Sequence, residues 1–468
     1  MTHDLIVIGA GPAGLSAALT GAELGLRVAL LDEQALPGGQ IYRHVTATGP
    51  RLAKLLGPAY TEGRLLTDRL AGSSVTAHQG TLVWDVAQDL TVTALKDGGS
   101  LQLRAPQLIA ATGALERASP VPGWTLPGVM TAGAAQIALK ASASIPDVPV
   151  VLAGSGPLLL LVACQLLDAG AMLAGLVETA PAANRRAALA HLPAALAAPA
   201  LLRDGLGLLG RLRRARLPWF TGASRPRIEG EERASGLAFE SAGRARLLPA
   251  GLVLLHHGVV PDTQLSRLLR VEHEWSDAQL AWQPRIDPWG LTSLAGFRIA
   301  GDGAGIAGAL AAQACGALAA LGAAHELGRL SQADRDARAA PLRDALRRQR
   351  RIRPFLDALY RPPEWISDPP DETIVCRCEE VSAGRLREMV ALGCQGPNQT
   401  KFFSRCGMGP CQGRQCGLVV TQVLARALGR PPGEVGAYRI RAPLKPVPLS
   451  ALAALTVLND RTKPVDEH

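Results

Sequence analysis

Aromatic residues make up only 4% of this 468-residue sequence, and there are only 8 cysteines. With so few ring faces for base stacking and no nucleic-acid motif, the net charge of +9 does not point to a nucleic-acid partner. Arginine is concentrated in "RLRRARLPWF" and "LRRQRRIRPF", which read as solvated helix faces, with docking to an acidic protein surface as the other reading. No Cys-x-x-Cys pair occurs, and this disfavours thiol–disulfide exchange. An unbroken apolar run is missing too. The most apolar window, Val148 to Val177, is interrupted by Gly, Pro, Gln and Asp, so it reads as a buried strand, turn, helix and strand rather than a bilayer span. The start lacks the basic region of a secretory signal, and the expectation is a cytoplasmic protein without a transmembrane segment, peripheral membrane contact being left open. A hydrophobic content of 48% against 19% charged residues excludes a disordered chain.

What is present begins at once. "LIVI" (Leu5 to Ile8) forms an apolar strand that runs into "GAGPAG", an Ala/Leu-rich helix and a second strand, "RVALLDE". Gly9, Gly11 and Gly14 make G-x-G-x-x-G at the turn of a βαβ unit, where they permit the tight turn, the approach of a pyrophosphate and close helix–strand packing. Asp32, followed by Glu33, lies 23 residues after Gly9 at the end of the second strand, where a carboxylate can bind ribose hydroxyls. Further on come "LPGGQIYR" (Leu36 to Arg43), the strand "LIAATGA" and, far downstream, "FRIAGDGAGIAGALAAQACGALAA".

In these motifs the chain resembles the two-dinucleotide-domain flavoprotein superfamily that includes thioredoxin reductase and glutathione reductase. The resemblance implies FAD rather than NAD at the first site, with Asp302 on the ribityl–phosphate portion and Thr112 and Gly113 beside the cofactor. The candidate FAD residues are Gly9, Ala10, Gly11, Pro12, Ala13, Gly14, Asp32, Glu33, Gly39, Gln40, Thr112, Gly113 and Asp302. A second βαβ unit starts at "VPVVLAGSGPLLLL"; its candidate residues are Gly154, Ser155, Gly156 and Glu178, but Leu159 stands at the third glycine position and is expected to push helix and strand apart. In the superfamily this domain holds NAD(P)H. Here an adenine nucleotide in a structural role, NAD(P) or an empty site are all open. His256 and His257 are adjacent on a strand and face opposite ways, and no partner acid is evident for catalysis. The helical stretch between "RRAALA" and "LPWF" reads as an amphipathic cover or a partner-binding insertion.

Six of the eight cysteines lie in the 41 residues from Cys376 to Cys416. Cys164 and Cys315 read as small buried hydrophobes, and Cys394 as a packing residue. In a cytoplasmic chain such density speaks for a metal site, and Cys-x-Cys with Cys-x₄-Cys pairing favours a 2Fe-2S cluster over zinc. "CRCEEVS" followed by "RCGMGPCQGRQC" resembles the bacterioferritin-associated-ferredoxin-like 2Fe-2S module that ends a group of bacterial flavoproteins. These are the A-type (alpha) subunits of octopine and nopaline oxidases, the B-type member of hydrogen cyanide synthase, and the alpha subunits of D-hydroxyproline and proline dehydrogenases. That resemblance implies Cys376, Cys378, Cys411 and Cys416 as ligands; because Cys406 and Cys411 have the same spacing as Cys411 and Cys416, Cys406 stays open as a substitute or an outer neighbour.

The fold class expected is α/β: two Rossmann-like dinucleotide-binding domains, the FAD domain discontinuous, and a small helical 2Fe-2S domain. The expected boundaries are 1–115 and 285–345 for the FAD domain, 116–284 for the second nucleotide domain, 346–369 for a linker, 370–440 for the cluster domain and 441–468 for a tail. The resemblance implies an electron-transferring alpha subunit of a heteromeric amine or imino-acid dehydrogenase of the hydroxyproline, proline or opine class. A glycine-oxidase-like flavoprotein subunit, and a small ferredoxin-like subunit, are the partners it implies. Three other readings stay open: a self-sufficient NAD(P)H-dependent reductase, a hydrogen cyanide synthase subunit oxidising glycine, and a non-catalytic scaffold or iron sensor.

Overall fold

The computed structural model describes residues 3–461, with side chains to residue 455. Four-residue strands of Leu, Ile, Val and Ala, buried on both faces, can only sit inside a parallel sheet covered by helices. That is where they lie. The first sheet has the order Phe297–Ile299, Gln107–Ala110, Leu5–Ile8, Val28–Leu31, Thr76–His78, all parallel. The second repeats the scheme with Trp219–Phe220, Leu173–Glu178, Val150–Gly154, Leu252–His256, Val129–Thr131. Each carries a three-stranded antiparallel sheet, Leu82–Val86 to Gly99–Arg104 in the first and Ser224–Glu229 to Arg244–Pro249 in the second. The chain crosses between the two halves through one antiparallel ribbon, Ala114–Glu116 against Val259–Pro261. This is the Rossmann-like α/β class expected from the sequence.

Helices Pro12–Glu23 and Ala309–Glu326 cover the first sheet and pack tightly on each other. Small residues make that possible: a Cβ on Gly316 would lie 2.0 Å from the carbonyl oxygen of Ala13. The basic insertion forms helices Ala182–Leu189, Leu192–Leu196 and Pro199–Arg214, the last packed on helix Pro157–Ala169. It is a cover for the second domain, and Leu159 lies fully inside the core beneath it, with Leu152 and Leu254. The leucine side chain is therefore accommodated within helix–sheet packing.

After helix Gln332–Arg350 the chain passes over the second domain in helix Arg353–Leu359 and the short turn Glu364–Ile366. A hairpin, Ile374–Cys376 with Val381–Ser382, and helices Ala383–Ala391, Pro397–Ser404 and Gly417–Leu428 then form the cysteine-bearing module. Its core is continuous with that of the first domain: Val419, Val423 and Leu424 belong to one buried cluster with Ile8, Leu108 and Phe297.

Overpacking at the close helix crossing costs about 1–3 kcal/mol. Gly316→Ala is thus expected to lower the Tm. Gly207→Ala, in an exposed helix interior with nothing within 4 Å, is expected to leave or slightly raise the Tm. Thermal melts of both variants check this.

Candidate flavin and sulfur centre

The first turn is built from backbone alone. Gly9 has φ +102°, and a Cβ there would lie 2.5 Å from the oxygen of Ala111; a Cβ on Gly14 would lie 1.7 Å from the oxygen of Gly9. Gly39, with φ +60°, approaches Gly11 so closely that a Cβ would sit 2.7 Å from its Cα. Helix Pro12–Glu23 starts without a side-chain cap or an acidic residue in its first turn, so its N–H groups are open to an anion. Gly301 faces Ala13, and Gly303 faces Gly113 and Thr112, closing the far wall. Segments 9–14, 32–40, 112–113 and 301–303 therefore converge around one cradle, and the fit to a dinucleotide is good.

The two acids at the second strand differ in kind. Asp32 is 8% exposed and accepts from Ala10 N at 2.5 Å and Gln34 N at 2.7 Å, clasping the turn to the strand. Burial raises its pKa despite those bonds. Glu33 projects outward and pairs with Lys445 from the C-terminal segment. Asp302 accepts from Ala307 N and Gly308 N at 2.9 and 3.0 Å through Oδ1, which shapes the loop before the long helix and leaves Oδ2 for a ligand. Gln40 is exposed, but its carbonyl, with that of Ile41, receives the buried ammonium of Lys140 at 3.1 and 2.9 Å. Burial pulls the pKa of Lys140 down to about 8. Nothing in the sequence marked Lys140, which lies 100 residues from Gln40.

At the second turn Gly154 and Gly156 have φ +143° and +116°, and Ser155 N donates to His256 O at 2.8 Å. Ser155 Oγ is buried and has no hydrogen-bond partner, at the open end of helix Pro157–Ala169. Glu178 ends the next strand beside Arg185 at 3.7 Å, and burial raises its pKa. His256 does have an acid, contrary to the sequence reading: Nδ1 lies 2.6 Å from Glu116 Oε1, and Glu116 Oε2 accepts from Gly133 N at 2.9 Å. The partner was invisible because it lies 140 residues away. His257 is held by Thr179 and Ser119 and packs edge-on to Trp365 at 5.1 Å. Burial takes its pKa down to about 3.

Five cysteines meet in the C-terminal module. The sulfurs of Cys376, Cys406 and Cys416 lie within 4.8 Å of one another, all buried. Cys411 joins them through Cys416, and exposed Cys378 joins through Cys411. S–H donation from Cys406 and then Cys416 holds Cys376 down to about 2, and donation from Cys416 holds Cys411 at about 5. Cys406 is pushed up to about 12 by its bond to Cys376, and Cys416 is raised for the same reason. Backbone N–H groups of Gly407 and Glu379 reach Cys376, and those of Gln415 and Gly413 reach Cys411. Thiolates so close together are compatible only if protons or a cation lie between them, and N–H donors aimed at sulfur suit a thiolate metal centre. Tyr438 seals one side: its ring lies against Gly407 and Gly413, and its buried hydroxyl faces Cys406 with no nitrogen or oxygen partner.

Residues 3–316 match the family described as "Pyridine nucleotide-disulphide oxidoreductase", and residues 371–456 match the "Sarcosine oxidase A3 domain". The chain is 45% identical to the A-type subunit of opine oxidase from Rhizobium meliloti, over 97% of this chain and 88% of that one. The chain belongs to the pyridine nucleotide-disulphide oxidoreductase family. Within this family it is also 33% identical to the HcnB subunit of hydrogen cyanide synthase from Pseudomonas protegens, over 96% of this chain and 97% of the relative. Among solved structures, L-proline dehydrogenase from P. horikoshii has the same fold, with a TM-score of 0.71 at 18% identity, covering 97% of this chain and 79% of that one.

The chain is thus an oxidoreductase of this family, FAD being the flavin that its family domain supports, and the relatives named here are themselves named as subunits. No helix among the described residues is long and apolar enough to cross a membrane.

His257 gives the folded oxidoreductase an acid limit. Folded, it takes up a proton only near pH 3; unfolded, it does so near 6.5. Its contribution is complete above pH 6.5 and is lost as pH falls toward 3, by up to about 1.4 kcal/mol per pH unit. In His257→Gln the drop in Tm between pH 7 and pH 5 is expected to be smaller than in the wild type, as differential scanning fluorimetry checks.

Proposed function

We propose that the chain is the electron-transferring alpha subunit of a heteromeric amine or imino-acid dehydrogenase, of the hydroxyproline, proline or opine class. The observation that carries this reading is the nest of cysteines packed into the core of the flavin domain. When bound, FAD accepts an electron pair as hydride and a 2Fe-2S cluster passes electrons singly, so together they link hydride chemistry to one-electron carriers.

The chain's own residues have distinct tasks in this reading. Gly9, Gly11, Gly14 and Gly39 leave room for the pyrophosphate, the helix N-terminus at Pro12 and Ala13 binds it, and Asp302 Oδ2 takes the ribityl side. Asp32 holds the turn, so Glu33 is the acid that meets the ribose hydroxyls, exchanging its contact with Lys445. Thr112 and Gly113 hold the strand at Asp262 against the flavin side. Cys376, Cys378, Cys411 and Cys416 hold the cluster, with Cys406 as its buried neighbour. Ser155, with its unpartnered hydroxyl, and Glu178 favour a bound nucleotide in the second domain, an adenine nucleotide or NAD(P). The partner is a glycine-oxidase-like flavoprotein subunit that oxidises the substrate, with a small ferredoxin-like subunit as a further member.

Glu33→Ala is expected to weaken FAD binding about 10-fold, from the loss of one charged hydrogen bond, as flavin fluorescence during dialysis reads. Iron and sulfide analysis with visible and electron paramagnetic resonance spectra tests the cluster. Cys416→Ser should abolish its signals and Cys406→Ser should retain them, whereas the reverse pattern would move the centre five residues upstream, onto Cys406 and Cys411. Flavin bleaching within milliseconds of mixing with NADH or NADPH would replace this reading by a self-sufficient reductase.

A further inference from the structure

A cavity of about 560 Å³ opens where residues 361–367, the C-terminal part of helix Gly417–Leu428 and the segment after strand His273–Ser276 meet. Its volume lies in the range of small-molecule sites, and sites of this kind favour junctions between domains. Trp275, Leu280 and Ile366 give it an apolar wall.

Two polar groups in that wall lack partners. Gln422 is 6% exposed, and its Oε1 is buried without a hydrogen bond. Arg117 is 4% exposed; it donates to the carbonyls of Leu280 and Gln279 at 3.0 and 2.6 Å, while its Nε is buried without a partner. Carbonyls are neutral, and among the described residues no carboxylate balances the guanidinium. The charge acting on it is another cation, Arg361, and burial followed by that repulsion pulls its pKa down to about 10. The acids at the rim are engaged elsewhere, Glu364 with Arg426 at 3.3 Å and Asp277 with the indole N–H of Trp275 at 3.0 Å. A buried cation without a counter-charge and a buried acceptor without a donor each destabilise the folded chain. One molecule in the cavity could satisfy both.

We propose that this cavity binds an amino or imino acid, with its carboxylate balancing Arg117, its N–H donating to Gln422 Oε1 and its carbon body against Trp275 and Leu280. Of the other arginines in the lining, Arg426 and Arg430 face Glu364 and Glu434 and Arg361 gives Nη1 to the carbonyl of Asp277, so Arg117 is the buried charge that a carboxylate would balance. The inference rests on the amine and imino-acid donor class, and it places a site for such a molecule on this chain in addition to the one on the oxidising partner.

Isothermal titration calorimetry of the flavin-loaded full chain with an opine, L-proline, AMP and inorganic phosphate tests the proposal. Expected is saturable one-site binding of the opine or of proline, at least 10-fold tighter than AMP or phosphate. Arg117→Met and Gln422→Leu should each weaken it at least 10-fold. Gln422→Leu removes an acceptor that has no partner, so it should fold as stably as the wild type and keep the flavin spectrum, whatever becomes of Arg117→Met. Preferential binding of AMP or phosphate, unchanged binding in Gln422→Leu, or no saturable binding at all would overturn the proposal. The titration needs no turnover and no iron. Absent cluster signals with intact binding would therefore count against the electron-transfer reading, and absent binding with intact spectra against the cavity.

Discussion

One apolar core runs from the flavin-domain sheet into the cysteine-bearing helices, and the relation between the dinucleotide cradle and the nest of sulfurs depends on it. Ile8, Leu108 and Phe297 from the sheet share this core with Val419, Val423 and Leu424, and the buried sulfurs of Cys376, Cys406 and Cys416 lie at its edge. Each large side chain so buried contributes roughly 1.5–3 kcal/mol. The module is consequently a layer of the flavin domain, and its distance from the flavin cradle is set by packing of side chains rather than by the length of the linker. The last helix, Leu449–Arg461, continues the embrace by resting on strand Gly99–Arg104, where Ser100 Oγ donates to Ala451 O.

The parts of this arrangement that could be read from sequence are those written in short spacings. Gly9, Gly11 and Gly14, the apolar strand before them and the acids after the second strand all lie within 30 residues, and their geometry is a local property of a βαβ turn. The crowding of cysteines between 376 and 416 is local in the same sense. Which acid performs which task was not legible, because the clasp of Asp32 on Ala10 N exists only once the strand and turn are folded together. Long-range pairs were hidden altogether. Glu116 reaches His256 and Arg117 reaches Leu280 across 140 and 163 residues, and Lys140 reaches the carbonyls of Gln40 and Ile41 from the other domain. Buried polar groups of this kind answer to a satisfied hydrogen-bond count in three dimensions, for which one sequence carries no periodicity.

The second domain shows how a pattern can be broken and its fold kept. Gly14 is compulsory in the first turn because the helix lies directly on the carbonyl of Gly9. At the matching position Leu159 fills the space between helix and sheet, joining Leu152, Leu254 and Val162. The tight turn itself survives, since Gly154 must still pass under the carbonyl of His256. The two domains thus share a backbone plan while differing in what their helix–sheet layers can be filled with.

The path of residues 359–366 has a mechanical consequence. Two domains joined by a single two-stranded ribbon have a natural hinge there, between Ala114–Glu116 and Val259–Pro261. Here the ribbon is bypassed: Asn184 holds the carbonyls of Leu359 and Arg361, and Trp365 lies against His257. A crossing strap fastened at two points resists swinging of one half against the other, much as a brace stiffens a gate. A protease cut between Arg361 and Trp365 would remove that brace and leave the ribbon and the clasp of Lys140 on the carbonyls of Gln40 and Ile41 to hold the two halves, without removing a single residue from either dinucleotide cradle.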